Sequence, residues 1–446
     1  MYNMIKYEYA GLGGIVLIEE IKHKMRRIIP DSEVLNLIFY ATIIIMPFIV
    51  VKTSSSKYSL GKLYYLYVVG LLLGIIFIKL LIQKNIIIKF FKEYKILLVF
   101  FISLCIASVY SIDIKTAILG NATRYEGLIT LLIYMLLLLF SSLYFVLNKK
   151  LIEAFSISST VMGGYTVLQL MGRDPIYYWL SGSYKGLETF GLIGHRNFVS
   201  TYFVLTILLT LGIYIFYNKK RYLIYSSMIF AGLISSFTRG GWVAFFLSSV
   251  LGFLFIFKDK QKLQKVVVVI LIFISIFFSL NIISNGKVLS RGHSILNDGK
   301  NITESSGSGR VEIWKMTLES LRKQWVIGTG LDTLHLRFIR DCPQQFIEII
   351  PQIGGYPDKA HNEFLEYWAC GGIVTLISYL SLVTVILINL LKKIHEDKAK
   401  ILFLMISGYL IQSFFNISVI QVAPIYWILL GAAIKYYRKD ELLSSE

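Results

Sequence analysis

The sequence has little charge, and this scarcity excludes a soluble globular protein. Only 16% of its 446 residues are charged, whereas 56% are hydrophobic. The mean hydropathy of +0.66 is too high for a soluble chain of this size. Many apolar stretches approach or exceed the roughly 18–20 residues that cross a bilayer. The composition therefore predicts a membrane protein with the lipid bilayer as its surroundings.

Other features are also missing. Alternating segments of strand length, which an outer-membrane barrel requires, are absent. The three cysteines, Cys105, Cys342 and Cys370, lack the spacing of metal ligands, and no acidic cluster resembles a metal site. We therefore expect no metal and no cofactor. The sequence does not decide whether Cys342 and Cys370 form a disulfide. No cleavable signal peptide is evident, because the first apolar stretch, Ile15–Ile18, is short and is followed by charges.

The net charge of +18 does not indicate a nucleic-acid partner. No basic blocks alternate with stacking aromatic residues on a polar domain. The lysines instead cluster in short loops between apolar runs, which is the distribution of the positive-inside rule.

The apolar runs predict an all-α polytopic membrane protein of about twelve transmembrane helices. With the amino terminus inside, the inside segments hold 25 Lys and Arg and the short outside loops hold nine. This bias predicts that both termini are cytoplasmic. The predicted spans are residues 34–51, 64–82, 95–112, 127–147, 151–171, 198–217, 222–238, 241–257, 265–284, 371–391, 401–420 and 423–437.

One long extracytoplasmic loop, residues 285–362, separates a membrane domain of nine spans (1–284) from one of three spans (363–446). Its beginning, Gly286–Gly309, is rich in Ser, Gly and Asn and predicts a mobile segment. Residues 309–325 predict an amphipathic helix with an apolar side. That side consists of Ile313, Trp314, Leu318, Leu321 and Trp325.

Several unusual polar residues fall on the outer side in this topology. They are Arg124, Glu126, His195, Arg196, Asn197, Arg239, Arg310, His361, Asn362 and Glu363, with Asp358 close to the last three in the sequence. Not one of them comes from a cytoplasmic loop, and this coincidence predicts a single site.

The arginines favour an anionic ligand, because a guanidinium offers a rigid fork of donors that matches phosphate oxygens. Arg239 lies in a hairpin tip between two apolar runs and is followed by two glycines that would let a ligand approach closely. Each arginine also has a possible structural role instead of ligand binding. In that case Arg239 extends to lipid headgroups, Arg124 is an anchor at the membrane interface, and Arg310 pairs with Glu304.

The remaining residues also have two interpretations. A histidine with a pKa near 6.5 accepts a proton from an attacking hydroxyl at neutral pH. Alternatively, His195 caps the following helix, Asn362 is a helix N-cap with Asp358 nearby, and Glu363 is a first-turn carboxylate favoured by the helix dipole. Arginines that hold a diphosphate leaving group, together with a histidine base, predict glycosyl transfer without a metal.

Five motifs in order resemble the O-antigen ligase/polymerase superfamily, which includes O-antigen ligases, O-antigen-type polymerases and protein O-oligosaccharyltransferases. They are Gly191–Asn197, Ser235–Trp242, Gly309–Trp314, Gly328–Gly330 and Asp358–Glu366, followed by Gly371 and Gly372, and the resemblance spans about residues 120–391.

The resemblance implies an all-helical membrane glycosyltransferase whose donor glycan is linked to undecaprenyl diphosphate. It implies that Arg239 holds the diphosphate and that His361 activates the acceptor. Arg310 matches a third recurrent position, and Arg124 matches a further basic one less closely. The family often has Asn-Pro-Asn where this chain has His195-Arg196-Asn197, so only Asn197 carries over and Arg196 would be an additional phosphate contact.

We therefore expect an extracytoplasmic active site on a bacterial cytoplasmic (inner) membrane protein. Its substrates would be a polyprenyl-diphosphate-linked glycan and a glycan, lipid or protein acceptor, and it would act in cell-surface polysaccharide biosynthesis. A flippase or transporter of polyprenyl-linked glycans is the alternative. That class places its basic residues in a central cavity, and the chain has no internal sequence repeat with its main break in the middle.

Overall fold

The computed structural model describes residues 32–53, 56–82, 93–182, 188–300, 309–353 and 355–443, and the regular secondary structure in these ranges is entirely helical. The α-helices are α1 (Ser32–Ile44), α2 (Leu60–Leu81), α3 (Lys95–Val109), α4 (Ile114–Leu119), α5 (Leu128–Tyr144), α6 (Lys149–Leu170), α7 (Pro175–Ser181), α8 (Arg196–Tyr217), α9 (Arg221–Ser235), α10 (Arg239–Leu254), α11 (Lys260–Ile283), α12 (Lys287–Lys300), α13 (Arg310–Leu321), α14 (Leu334–Asp341), α15 (Pro343–Ile353), α16 (Glu363–Glu366), α17 (Ile373–Lys392), α18 (Asp397–Ser413) and α19 (Ala423–Leu443).

Each of the twelve predicted spans overlaps a helix, namely α1, α2, α3, α5, α6, α8, α9, α10, α11, α17, α18 and α19, although α1 ends at Ile44, before the end of the first predicted span. In the described part of the chain, five of these helices are long and apolar enough to cross a membrane: α2, α6, α8, α11 and α17. The chain is thus a polytopic helical membrane protein, and the number of twelve spans stays a prediction.

Helix α8 lies at the centre of the helical assembly. Its apolar residues surround the whole helix, from Val199 to Tyr214, and 94% of its most apolar stretch is buried. A helix that is apolar on all sides needs neighbours on all sides, and α6, α9, α10 and α18 supply them. This central helix begins at Arg196, so its first turn fixes one group of predicted site residues.

Helix α11 lies at the periphery, where only 17% of its most apolar stretch is buried. Leu271 and Ile282, for example, are 64% and 76% exposed. Apolar surface of this extent is not tolerated in water, so the outward side of α11 faces lipid.

The segment between α11 and α17 is largely helical and has a small core of its own. The core residues are Ile313, Met316, Leu321, Leu334, Phe338, Cys342, Ile349, Ala360, Ala369 and Cys370. Cys105, Cys342 and Cys370 are free thiols, so the disulfide considered from the sequence is not formed.

Two features of this segment differ from the sequence-based expectations. The stretch expected to be mobile contains α12, while residues 301–308 lie outside the described residues. The amphipathic helix ends at Leu321, and Leu318 and Trp325 are about half exposed. The buried side of α13 is instead Ile313, Met316, Thr317, Ser320 and Leu321, because two small hydroxyl residues turn inward against α14 and the α16–α17 connection.

Arg337 joins three parts of this segment: the end of α13, the loop after it and the connection between α16 and α17. Its side chain is fully buried and donates to the carbonyl oxygens of Ala369 (2.5 Å), Ser320 (2.8 Å) and Gln324 (2.5 Å). Asp341 lies 3.6 Å away and balances the charge. A buried charge is tolerated only with such partners.

The glycines of two motifs meet where the loop crosses the start of α17. Gly328 has a φ of +82° and Gly372 a φ of +89°. A Cβ atom at Gly328 would lie 2.4 Å from the Cys370 carbonyl oxygen, and one at Gly372 would lie 2.1 Å from the Val326 carbonyl oxygen. These positions therefore need glycine for a close backbone crossing.

Candidate active site

The hairpin between α9 and α10 presents Arg239 at the first turn of α10, as the sequence indicates. Phe237 has a φ of +53°, which turns the chain sharply between the two helices. Arg239 donates from Nη1 to the hydroxyl of Ser294 on α12, at 3.3 Å. The carbonyl oxygen of Phe237 accepts a hydrogen bond from Nε of Arg291, at 3.0 Å. The hairpin tip is therefore in direct contact with α12.

The two glycines after Arg239 serve helix packing rather than the ligand approach expected from the sequence. A Cβ atom on Gly240 would lie 2.9 Å from Cβ of Phe415, and one on Gly241 would lie 2.8 Å from Cβ of Ser200. Small residues at these positions let α10 lie close to α8 and to the end of α18.

Arg310 begins α13 and lies beside the hairpin tip. Its pKa is lowered to about 10 by burial and by the positive charges of Arg239 and Arg291. Among the described residues, Arg310 has no ion pair with a carboxylate; Glu304, the partner considered from the sequence, lies outside them. Three guanidinium groups thus converge where α10, α12 and α13 meet, and this arrangement attracts an anion.

His361 lies next to this group of arginines. Burial and the charge of Arg310 lower its pKa well below the ordinary value of 6.5, against the opposing effect of Asp358. The imidazole is therefore neutral at physiological pH. Its Nδ1 atom is buried and has no hydrogen-bond partner among the described residues. His361 also has a φ of +48°, a conformation that is uncommon outside glycine.

Arg124 and Asp358 form an ion pair beside His361. Nε of Arg124 lies 2.6 Å from Oδ2 of Asp358, and the guanidinium lies 5.6 Å from the ring centre of Phe198. Burial would raise the pKa of Asp358, but Arg124 lowers it below its ordinary value. Arg124 therefore holds the carboxylate that faces His361, and its predicted contact with a diphosphate stays a prediction.

A buried ionic triad, to which the sequence analysis assigned no role, fixes the backbone just before His361. Nζ of Lys359 lies 2.8 Å from Asp332 and 3.0 Å from Glu366. The second oxygen of Glu366 accepts from the amide of Ala360 at 2.9 Å. Burial alone would lower the pKa of Lys359, but the two carboxylates raise it well above its ordinary value.

The residues at the start of α8 cap that helix and lie beside the site, because the charges of Arg124, Asp358 and Arg310 all act on His195. Nδ1 of His195 accepts from the amide of Asn197 at 3.2 Å, so His195 caps the helix. The guanidinium of Arg196 lies 6.0 Å from the ring centre of Phe237, which brings it to the hairpin. The carbonyl oxygen of Asn197 accepts from Asn416 at 3.2 Å. Arg196 thus reaches the hairpin tip, and its predicted contact with the phosphates stays a prediction.

Asn362 and Glu363 also have structural partners. Oδ1 of Asn362 accepts from two backbone amides of the next turn, at 3.0 and 3.1 Å, which makes it the N-cap of α16. Glu363 is buried and accepts from the hydroxyls of Tyr379 (3.1 Å) and Tyr409 (3.3 Å). Glu363 therefore anchors α16 to α17 and α18.

Sequence reasoning missed Arg291, because its surroundings are rich in Ser and Gly. One signal was present: Val288, Arg291 and Ile295 recur at helical spacing. In the structure Val288 is buried and the other two are half-buried, so these residues form the inner side of α12.

An apolar cavity of about 500 Å³ lies between α8, α10 and α11. Phe230, Phe245, Phe273 and Phe277 contribute to its walls. The ring of Phe277 also contacts Trp242 in the first turn of α10, with 6.4 Å between ring centres. One wall of the cavity, at Phe277, thus lies next to the first turn of α10, and the apolar lining has the chemistry of a site for a hydrocarbon chain.

Comparison with known proteins gives one family. Residues 223–380 match the family model described as O-antigen ligase. The matched range runs from α9 to α17 and includes Arg239, Arg291, Arg310 and His361. None of the curated proteins matches the chain.

Proposed function

We propose that this chain, which belongs to the O-antigen ligase superfamily, transfers or polymerises a glycan from an undecaprenyl-diphosphate-linked donor. The acceptor is a hydroxyl group of a glycan, lipid or protein at the outer face of the bacterial cytoplasmic membrane. The match to the O-antigen ligase family model supports a membrane glycan-transfer or ligase role. We propose in addition that the reaction takes place on the outer side of the membrane and needs no metal.

The observation that carries the proposal is the convergence of Arg239, Arg291 and Arg310 beside the neutral imidazole of His361. Arginines stabilise the charge that develops on a departing diphosphate. A neutral imidazole is the form that accepts a proton. An anion site and a base at adjacent positions are what glycosyl transfer requires.

The proposed reaction is a single displacement. The acceptor oxygen attacks the anomeric carbon of the donor glycan while the bond between that carbon and the diphosphate oxygen breaks. The electron pair leaves on the diphosphate, which Arg239 and Arg310 hold. His361 takes the proton of the acceptor hydroxyl, and the carboxylate of Asp358 stabilises the imidazolium that forms.

The apolar cavity is a suitable binding site for the lipid part of the donor. Phe277, in the wall of the apolar cavity, contacts Trp242 in the first turn of α10, the turn that begins at Arg239. We assign this cavity to the first isoprene units of the donor, because a lipid anchored by its diphosphate at Arg239 must enter the bilayer along this helix.

The test is transfer of a glycan from an undecaprenyl-diphosphate donor by the purified protein, comparing Arg239→Lys and Arg239→Ala with the wild type. Lysine keeps the charge but loses the bidentate fork, so Arg239→Lys loses most activity although the protein still inserts and accumulates. Arg239→Ala loses at least as much, mainly through weaker donor binding.

The exposed pair of Arg322 and Glu319 supplies a matched control, since Arg322→Ala removes a guanidinium that is 78% exposed on the far end of α13. We expect Arg322→Ala to transfer at the wild-type rate. A fully active Arg239→Ala protein would refute the proposed donor site.

A further inference from the structure

A second cavity, of about 510 Å³, lies between α6, α8, α9 and α18. It extends about 10 Å along α18, from Lys398 to Met405, because a helix rises about 1.5 Å per residue. Its inner walls are apolar residues of the helical core, among them Leu151, Phe155, Leu209 and Ile213. The volume lies in the range of about 300–1,000 Å³ that is typical of ligand sites. The inner part of this cavity therefore suits a hydrocarbon chain.

The mouth of the cavity is basic. Four charged residues line it, namely Lys149, Lys219, Arg221 and Lys398, and none of the described lining residues is an aspartate or a glutamate. Glu153 pairs with Arg221 at 2.5 Å, and Asp397 pairs with Lys400 at 2.8 Å. Within the described part of the chain, the three lysines of the mouth have no ion pair with a carboxylate. The mouth therefore has an excess of positive charge and attracts an anion.

The mouth lies on the side of the membrane that the sequence predicts to be cytoplasmic. Its lysines come from the loops, or from the helix ends beside the loops, that connect α5 with α6, α8 with α9 and α17 with α18. Helices α6, α9 and α18 begin at this mouth, so the positive ends of their dipoles add to the attraction for an anion. Ile213 in the cavity wall lies roughly 25 Å along α8 from Arg196, so the cavity is separate from the candidate active site.

We propose that this cavity binds a phospholipid with an anionic headgroup from the cytoplasmic leaflet. One acyl chain occupies the apolar interior, and the phosphate lies among Lys149, Lys219 and Lys398. A lysine ammonium is a compact point charge that suits a phosphate, and basic pockets between membrane helices on the cytoplasmic side are typical sites for anionic lipids. A zwitterionic headgroup fits less well, because its own ammonium is repelled by the lysines. This inference does not depend on the proposed reaction.

The experiment measures lipid binding to the full-length protein in detergent by native mass spectrometry. Phosphatidylglycerol is compared with phosphatidylethanolamine, and both have the same acyl chains, so that a difference in affinity reports the headgroup. The first variant, called the mouth variant, removes the three lysines of the mouth by Lys149→Gln, Lys219→Gln and Lys398→Gln.

The matched control variant removes three exposed lysines that lie beside the same loops but do not line the cavity. It combines Lys150→Gln, Lys220→Gln and Lys392→Gln. Both variants lose the same number of positive charges from the same side of the membrane. A difference between them therefore reports the cavity and not the general charge of the surface.

We expect the wild type to bind phosphatidylglycerol roughly 10- to 100-fold more tightly than phosphatidylethanolamine, because each basic residue near an anionic headgroup strengthens binding. The mouth variant should lose this preference, and the control variant should keep most of it. Glycerophosphoglycerol, which has the headgroup without acyl chains, should bind at least 100-fold more weakly than the lipid, since it cannot fill the apolar interior.

Thermal unfolding gives a second measurement. A ligand that binds only the folded state stabilises it. Phosphatidylglycerol should therefore raise the unfolding temperature of the wild type and of the control variant more than that of the mouth variant.

Four outcomes would overturn the inference. Equal loss of the headgroup preference in both variants would show a general attraction of lipid by surface charge. Equal affinity of the wild type for the two phospholipids would show that the headgroup is not recognised. Tight binding of glycerophosphoglycerol would show that no acyl chain enters the cavity. Undecaprenyl phosphate that binds more tightly than phosphatidylglycerol, and only when the three lysines of the mouth are present, would assign the cavity to a polyprenyl carrier instead.

Discussion

The position of His361 decides when its imidazole accepts a proton. Burial and Arg310 both disfavour the charged ring, whereas Asp358 favours it. The pKa of His361 is therefore below 6.5 in the free protein, lower than the ordinary histidine value expected from sequence. A bound diphosphate brings negative charge to Arg310 and raises this pKa again.

The pH dependence of transfer should reveal this change. Because only the neutral ring accepts a proton, activity should fall with decreasing pH as His361 becomes protonated. The acidic limb of kcat/KM, which reports the free protein, should lie below pH 6.5. The limb of kcat, which reports the donor complex, should lie at higher pH. Because the pKa of His361 is lowered to about 3, kcat/KM should stay flat from about pH 8 down to about pH 4, whereas kcat should already fall within this range. Steady-state kinetics over this range measure both profiles.

His361→Asn tests whether this group is the base. Asparagine forms hydrogen bonds but is not an effective base, so transfer should decrease by about 10²–10⁴-fold, the usual contribution of base catalysis. Binding of undecaprenyl diphosphate should stay close to that of the wild type. Near-normal turnover with an unchanged pH profile would show that the base is another group.

From the sequence, the chemical character of single residues could be predicted better than the residues that they contact. Arg239 and Arg310 lie beside each other as the outer-side hypothesis requires. The caps formed by His195 and Asn362 were recognised as alternatives, because N-caps depend on local spacing. The ion pair of Arg124 with Asp358 depends on loop folding, which leaves no periodic pattern in the sequence. Arg291 lies on α12, where only the weak periodicity of Val288, Arg291 and Ile295 indicates a helix.

Among the elements, the apolar helices and α13 could be predicted, whereas the rest of the segment between α11 and α17 could not. An apolar run of sufficient length must form a helix in a bilayer, because the backbone has no other way to satisfy its polar groups. Helix α12 lacks such a constraint. Its Ser and Gly residues are typical of loops, so the sequence does not clearly indicate a helix there. The buried triad consists of residues from separate turns, namely Lys359, Asp332 and Glu366. Their spacing in the sequence therefore does not predict that they lie together.

This triad should determine whether the loop containing His361 keeps its shape. Lys359→Met leaves Asp332 and Glu366 buried without their cation, and breaking a buried ion pair costs about 3–5 kcal/mol. Thermal unfolding of the detergent-solubilised protein should show the lowered stability, together with loss of transfer. Replacing both carboxylates as well, in Lys359→Met with Asp332→Asn and Glu366→Gln, should restore part of the stability.

The same substitution at an exposed pair provides the control. Lys315 pairs with Glu312 at 2.5 Å, but its side chain is 62% exposed. Because water screens such a pair, Lys315→Met should change stability by about 0–1 kcal/mol. Equal effects of the two substitutions would mean that the buried triad does not hold the loop.

For the whole molecule, the proposed reaction depends on which side of the membrane the arginines face. The distribution of Lys and Arg predicts that the arginines face the outer side, because the inside segments hold 25 of these residues and the short outside loops hold nine. The same distribution predicts that both termini are inside. The contacts between the hairpin tip, α12 and α13 place Arg239, Arg291 and Arg310 on one common side, so a single measurement orients all three.

Single cysteines introduced into a variant that lacks the three native ones make that measurement. Glu348 in α15 and Gln261 at the start of α11 are both exposed, and helix α11 separates Gln261 from the segment that contains Glu348. A membrane-impermeant maleimide added to intact cells should label Glu348→Cys at once. It should label Gln261→Cys only after the membrane is permeabilised. Labelling of Gln261→Cys in intact cells would reverse the orientation, and the arginines and His361 would then face the cytoplasm, where the proposed outer-face transfer has no place.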